Sequence, residues 1–347
     1  MTGRHTGLET NGSAMSSSDQ TRSGTVYRQA RTSAFLWVVL ALLVSGPRAM
    51  AAPSGEETFA SPGRAAAALS AAWRADGVTA LLKIFGPGGR NLVTSGDPVA
   101  ERTTRERFAA SYDQQHRIEL QGADEAILII GKEDWPYPIP IVREGSAWRF
   151  DVKAGIEQVL DRRIGANEIH AIEVSRVYVM AQREFAAGRR QGGQPEEYAQ
   201  QLASSPNKHD GLYWPVRAGE KQSPIGPLVA TAEAAGYGLP PASAADPRAF
   251  EGYYFRILNG QGAHGQGAHA LNGAHSYVVN GHMTGGFALI AFPSRWGDSG
   301  VMTFVVNQNG IVFQKDLGPD TARLARQITL YDPDRTWRIV YASQPSR

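Results

Sequence analysis

Hydrophobic and polar positions change period several times along this chain. Three short runs, 287–292, 301–306 and 311–317, are dominated by β-branched and aromatic residues and closed by Pro, Gly or Asn, so they predict strands. Asn309-Gly310 lies between the last two, and a dipeptide that accepts positive φ at both turn positions predicts a hairpin there. Upstream, 126–130, 139–142 and 148–150 predict a small sheet, with a turn at Glu144-Gly145-Ser146. Further strands are expected at 252–258, 277–279 and 337–341.

Helical patterns fill the intervals. Ser61-Pro62 and Asp97-Pro98 each place a capping side chain before a proline suited to the first helical turn. They predict helices over 65–73 and from 98 to about His116, with a short helix over 78–85 between them. A helix over 156–163 is expected to break at Gly165 and resume over 167–187, where Ile169, Ile172, Val177, Val179 and Met180 leave an apolar stripe. Short helices are also expected around 196–204, up to about Ala235, and over 321–328. The Gly/Arg/Gln stretch 188–195 reads as a linker, and 236–249 shows no periodicity.

The expected architecture is therefore α+β in two domains. Residues 52–187 would form N-terminal helices plus a small antiparallel sheet, a pattern that resembles nuclear-transport-factor-2-like cones. Residues 188–250 would be linker and short helices, and 251–347 a C-terminal antiparallel sheet domain with its hairpin at Asn309-Gly310.

The first 51 residues do not fit this scheme. Arg22, Arg28 and Arg31 precede an eleven-residue apolar run, 34–44, whereas a membrane span needs about 20 residues. Gly46-Pro47 and Ala49-Met50-Ala51 follow, so 1–51 reads as a secretory signal peptide cleaved before Ala52, with an uncleaved anchor as the rival reading. This segment holds five arginines against Glu9 and Asp19. Taking its +3 from the chain's +2 leaves −1, so no nucleic-acid footprint remains. The chain has no cysteine, which excludes disulfides and thiolate metal sites.

Several stretches invite chemistry. Gly86-Pro87-Gly88-Gly89 lacks both a preceding strand and a following Gly-Lys-Ser/Thr, so it reads as a loop rather than a phosphate cradle. Gly297-Asp298-Ser299-Gly300 spells the heart of a serine nucleophile loop, but no His and Asp pair lies far upstream to serve it, so a turn is expected. His264, His269 and His275 punctuate a Gly-rich duplication and are candidate ligands for zinc, copper or nickel. No carboxylate stands among them, which favours adventitious binding, and no cofactor is expected. The aromatic-proline loops around Trp135 and Tyr137, and around Tyr213 and Trp214, could stack on a glycan or peptide, with Glu133, Asp134 and Asp210 as polar partners. The alternative is that these rings are buried in the seam between domains.

The stretches Lys132-Glu133-Asp134-Trp135-Pro136-Tyr137-Pro138-Ile139-Pro140, 210–215 (Asp-Gly-Leu-Tyr-Trp-Pro), 252–258 (Gly-Tyr-Tyr-Phe-Arg-Ile-Leu), 285–288 (Gly-Gly-Phe-Ala) and 314–319 (Gln-Lys-Asp-Leu-Gly-Pro) occur in this order. Together they resemble the bacterial family called domain of unknown function 2950, over 58–341. That resemblance implies an exported, periplasmic envelope protein of Gram-negative bacteria with no assigned activity, and no site residue can be carried over from it. The C-terminal part also resembles pilin-like periplasmic heads, though the chain has no long pilin helix or prepilin cleavage motif. The sequence thus points to a non-catalytic protein that binds an envelope glycan, peptide or protein. The alternatives are an envelope-directed hydrolase using Glu133, Asp134 or Asp210, with two carboxylates about 5 to 10 Å apart, and a pilin-like structural or assembly factor.

Overall fold

The computed structural model describes residues 55–75, 77–189, 196–217, 219–238, 240, 248–264 and 273–341. The leader with its cleavage point, and His269, lie outside the described residues.

Both predicted caps form. Ser61 accepts from the Arg64 amide at 3.2 Å and starts α1 (Pro62–Arg74). Asp97 Oδ1 accepts from the amides of Val99 and Ala100 at 3.1 and 3.0 Å and starts α4 (Pro98–Gln114). Between them lie α2 (Val78–Phe85) and the one-turn α3 (Arg90–Val93), joined by a 3₁₀ turn, Pro87–Gly89, where a loop was expected.

These helices cover an antiparallel sheet built from β1 (His116–Leu120), β2 (Glu125–Ile130), β4 (Ile141–Glu144) and β5 (Ala147–Phe150) in that order. The two-residue β3 (Trp135–Pro136) also pairs with β2. Helix α4 ends within two residues of its expected end, and β1, where no strand was expected, follows it directly. Its His-Arg-Ile-Glu-Leu sequence belongs to an exposed edge, where charge is tolerated on both faces and the alternation that marks a half-buried strand is lost. Leu69, Leu81, Phe85, Leu128, Ile141 and Phe150 form the heart of this first hydrophobic cluster.

One continuous helix, α5 (Val152–Arg189), replaces the two expected. Its 38 residues span about 57 Å at 1.5 Å per residue. Gly165 does not break it, because glycine in a helix costs only about 1 kcal/mol and both flanks are anchored. On one side Arg163 donates to the carbonyls of Asn91 and Leu92 at 2.8 and 2.9 Å, closing the end of α3. On the other, Asn167 donates to the Ser299 carbonyl at 2.8 Å, while Glu168 accepts from the amides of Val301 and Met302 at 3.0 Å.

Helix α5 thus begins in the first cluster and ends in a second. There it lies on a five-stranded antiparallel sheet ordered β14 (Arg338–Ile339), β13 (Val312–Asp316), β12 (Met302–Asn307), β11 (Ala288–Pro293), β6 (Tyr253–Leu258). Strand β11 is buried along its whole length because α5 and α7 (Thr321–Gln327) both contact it. The predicted hairpin forms with Val306 opposite Val312. Of its turn pair only Gly310 has positive φ, so the connection is wider than a two-residue turn, and the Asn307 side chain accepts from the Asn309 amide at 3.1 Å. Short pairings flank the sheet: β7 (Gly260–Gln261) with β8 (His275–Ser276), and β9 (Val278–Val279) with β10 (His282–Met283).

The stretch 196–204 is extended rather than helical, with Tyr198 bridged to Met283 and Ala203 to Tyr213. A further helix, α6 (Gly226–Ala234), follows it. The whole is α+β, and among the described residues no helix is long and apolar enough to cross a membrane.

Candidate functional site

An apolar concavity lies where α5, α6 and the second sheet meet. Val174 and Tyr178, four residues apart on α5, form one wall. Leu228, Val229 and Ala232 of α6, with the preceding Ile225, form the opposite one. Phe255 of β6 and Leu289 of β11 close the sheet side, and Leu202 of the extended segment contributes from the flank. Among the described residues, Tyr237, Gly238 and Pro240 with Arg248, Ala249 and Phe250 also line it. The cavity measures about 120 Å³.

Two tyrosines stand on its walls, and both hydroxyls are committed to protein partners. Tyr178 donates to the Ala288 carbonyl at 3.1 Å and accepts from Gln182 Nε2 at 3.0 Å. Fully buried Gln182 is itself held by Ala199, donating to its carbonyl and accepting from its amide, both at 2.8 Å. Tyr237 donates to Asp97 Oδ2 at 2.9 Å and packs edge-on against Phe250, with ring centroids 4.9 Å apart. Burial raises the pKa of both phenols well above the ordinary value, and the Asp97 charge raises Tyr237 further. Both remain protonated donors through the physiological range.

Asp97 ties this cavity to the first cluster. It is 1% exposed: Oδ1 caps α4, while Oδ2 accepts from Tyr237 and from the Gly252 amide, each at 2.9 Å. Gly252 has φ of 75° and leads directly into β6. The cap was legible in Asp97-Pro98; the second role was not, because its partners lie 140 and 155 residues away.

The aromatic-proline loops are placed apart, on different clusters. Tyr137 is buried in the first, edge-on to Phe108 and Phe150. Trp135 is 40% exposed beneath the Arg162 guanidinium, and Asp134 pairs with Arg117. Tyr213 and Trp214 are half-buried against the second cluster, with Trp214 stacked on His209 at 4.3 Å. Asp210 Oδ1 accepts from the Ser205 amide and Gln201 Nε2, at 2.8 and 2.7 Å, an arrangement that closes its own loop.

The histidines are also separately engaged. His264 faces Asp332, with Nδ1 to Oδ2 3.2 Å and the His264 amide to Oδ1 2.6 Å. Asp332 stands 68 residues away, which is why no carboxylate was visible near this loop in sequence. His275 Nδ1 and Nε2 lie 3.0 and 3.3 Å from the carbonyls of Gly273 and Gly285. Among the described residues no group of three His, Asp or Glu side chains could hold a metal.

Ser299 is fully buried. Its hydroxyl donates to the Arg295 carbonyl and accepts from the Arg295 amide and Ser294, so it closes the turn as expected.

A family model described as a protein of unknown function (DUF2950) matches residues 56–340. No curated protein and no solved structure matches the chain.

Proposed function

Since the chain belongs to the DUF2950 family of proteins of unknown function, we propose a function from the cavity itself: an exported envelope protein that binds, without chemistry, a ligand whose apolar part fills the space between α5, α6 and the second sheet. One observation carries this reading. The described walls are mainly apolar, and the hydroxyls of the two tyrosines among them are already paired with Ala288 and Asp97, so the described lining asks little that is polar of its guest. The titratable groups among the described lining residues are Tyr178, Tyr237 and Arg248. Two protonated phenols and a guanidinium offer neither a nucleophile nor a general base, which supports binding over hydrolysis. Export is supported by the leader pattern of 1–51. This reading moves the ligand away from the aromatic-proline loops.

Filling the cavity tests it. Ala232 is on the wall and nearly buried, so Ala232→Trp places an indole inside. Toluene titrated against the wild type should raise its melting temperature, because a ligand at a hundred times its dissociation constant adds about 2.7 kcal/mol. The filled variant should unfold cooperatively and show no shift. An equal shift in both proteins would refute the reading.

A further inference from the structure

Resting on that reading, we propose that the ligand is a small carboxylic acid, with one aromatic ring or short branched alkyl group in the cavity and its carboxylate at Arg248. Size sets the first limit. A cavity of about 120 Å³ is close to the roughly 150 Å³ apolar cavity that stays dry and takes up benzene. It holds one ring, not a long acyl chain. Four rings, those of Tyr178, Tyr237, Phe250 and Phe255, stand around the space. Aromatic side chains prefer edge-to-face contact, as Tyr237 and Phe250 already make at 76°, so a ring-shaped guest continues the packing of the walls.

Charge sets the second limit. Arg248 is the one charged residue among the described lining residues, and it is exposed, so it stands where the cavity meets solvent. Its guanidinium lies against Gly238, also on the wall: a Cβ at Gly238 would come within 3.1 Å of Arg248 Nη1. A guanidinium is permanently charged, and its planar fork fits a carboxylate. Its five N–H donors can serve protein partners and a ligand together. The interior tyrosines keep their own bonds, so the acid group is oriented outward and the ring inward. The same chemistry is offered by a free aryl or alkyl acid and by the C-terminal residue of a peptide ending in Phe or Leu.

Calorimetric titration of 3-phenylpropionate, its amide, and a hexapeptide ending in Phe with a free or amidated C-terminus distinguishes the outcomes. The proteins to compare are the wild type, Arg248→Gln, Arg248→Lys and Ala232→Trp, each checked for cooperative melting. The wild type should prefer acid to amide by about tenfold or more, the scale of a hydrogen bond to a charged group. Arg248→Gln should lose that preference, Arg248→Lys should keep part of it, and Ala232→Trp should bind nothing. Binding of the free-acid peptide with the same preference assigns the source to a chain terminus, and binding of phenylpropionate alone assigns it to a free acid. Equal binding of acid and amide would overturn the carboxylate proposal while leaving the apolar site standing. Failure of every compound while toluene still shifts the wild type but not Ala232→Trp would overturn the carboxylate proposal alone, and failure of toluene as well would overturn both.

Discussion

Replacing Asp97 by alanine removes three interactions at once from a residue that is 1% exposed. The first is the cap of α4, two bonds of 3.1 and 3.0 Å, worth about 1 kcal/mol. The others are the acceptor for the Tyr237 hydroxyl and the acceptor for the Gly252 amide, both at 2.9 Å. A buried donor left without a partner costs about 1 to 3 kcal/mol. Water entering the space left by the side chain recovers part of that, so the expected loss for Asp97→Ala is about 3 to 5 kcal/mol. Tyr237→Phe removes one donor and leaves Asp97 still bonded to Gly252 and α4, so about 1 kcal/mol is expected.

The two changes should not add. Once Asp97 is alanine, the phenol has lost this acceptor and keeps only the long bond it accepts from the Glu251 amide, at 3.3 Å, so removing its hydroxyl as well should cost less than in the wild type. Urea unfolding of the four proteins, with the slope compared to establish a common two-state transition, measures the coupling. A loss below 1 kcal/mol for Asp97→Ala, or full additivity with Tyr237→Phe, would refute the claim that this carboxyl joins the two clusters.

Glycines at two places in α5 should respond oppositely to alanine. Nothing lies within 4 Å of a Cβ at Gly165, so Gly165→Ala should stabilise by about 0.5 to 1 kcal/mol in thermal unfolding. A Cβ at Gly155 would meet the Pro138 carbonyl oxygen at 2.6 Å, so Gly155→Ala should lower the melting temperature despite the better helix propensity. In the aromatic-proline loop, Tyr137→Ala should cost about 3 to 5 kcal/mol as a core truncation, whereas exposed Trp135→Ala should cost under about 1 kcal/mol. Asp298 has its pKa raised by burial, partly offset by Arg163 and Arg295. A raised folded-state value means that its contribution is fully present below the unfolded pKa and is lost as pH rises through the folded one. Melting temperatures of Asp298→Asn and wild type measured from pH 3 upward should therefore diverge in favour of the variant above about pH 3.8. A constant difference across that range would count against the assignment.

The sequence by itself determined most of the local structure. Ser61-Pro62 and Asp97-Pro98 start their helices because a capping bond spans only two or three residues, and Asn309-Gly310 reverses the chain because positive φ is a property of one residue. The α+β class followed from the same short-range periods. Where local preference is weak, tertiary contacts prevailed. Gly165 stays helical because Arg163 and Asn167 are anchored on either side of it. The charged segment His116–Leu120 becomes a strand because β2 offers it an edge. The cavity was invisible in sequence, since its walls come from α5, α6, two strands and the segment around Tyr237, each apolar for reasons that look like ordinary core. Asp97 shows the division within one side chain. Its Oδ1 serves the next turn of its own helix and could be read from the order of residues, while its Oδ2 serves Tyr237 and Gly252, partners that only the folded chain brings within 2.9 Å.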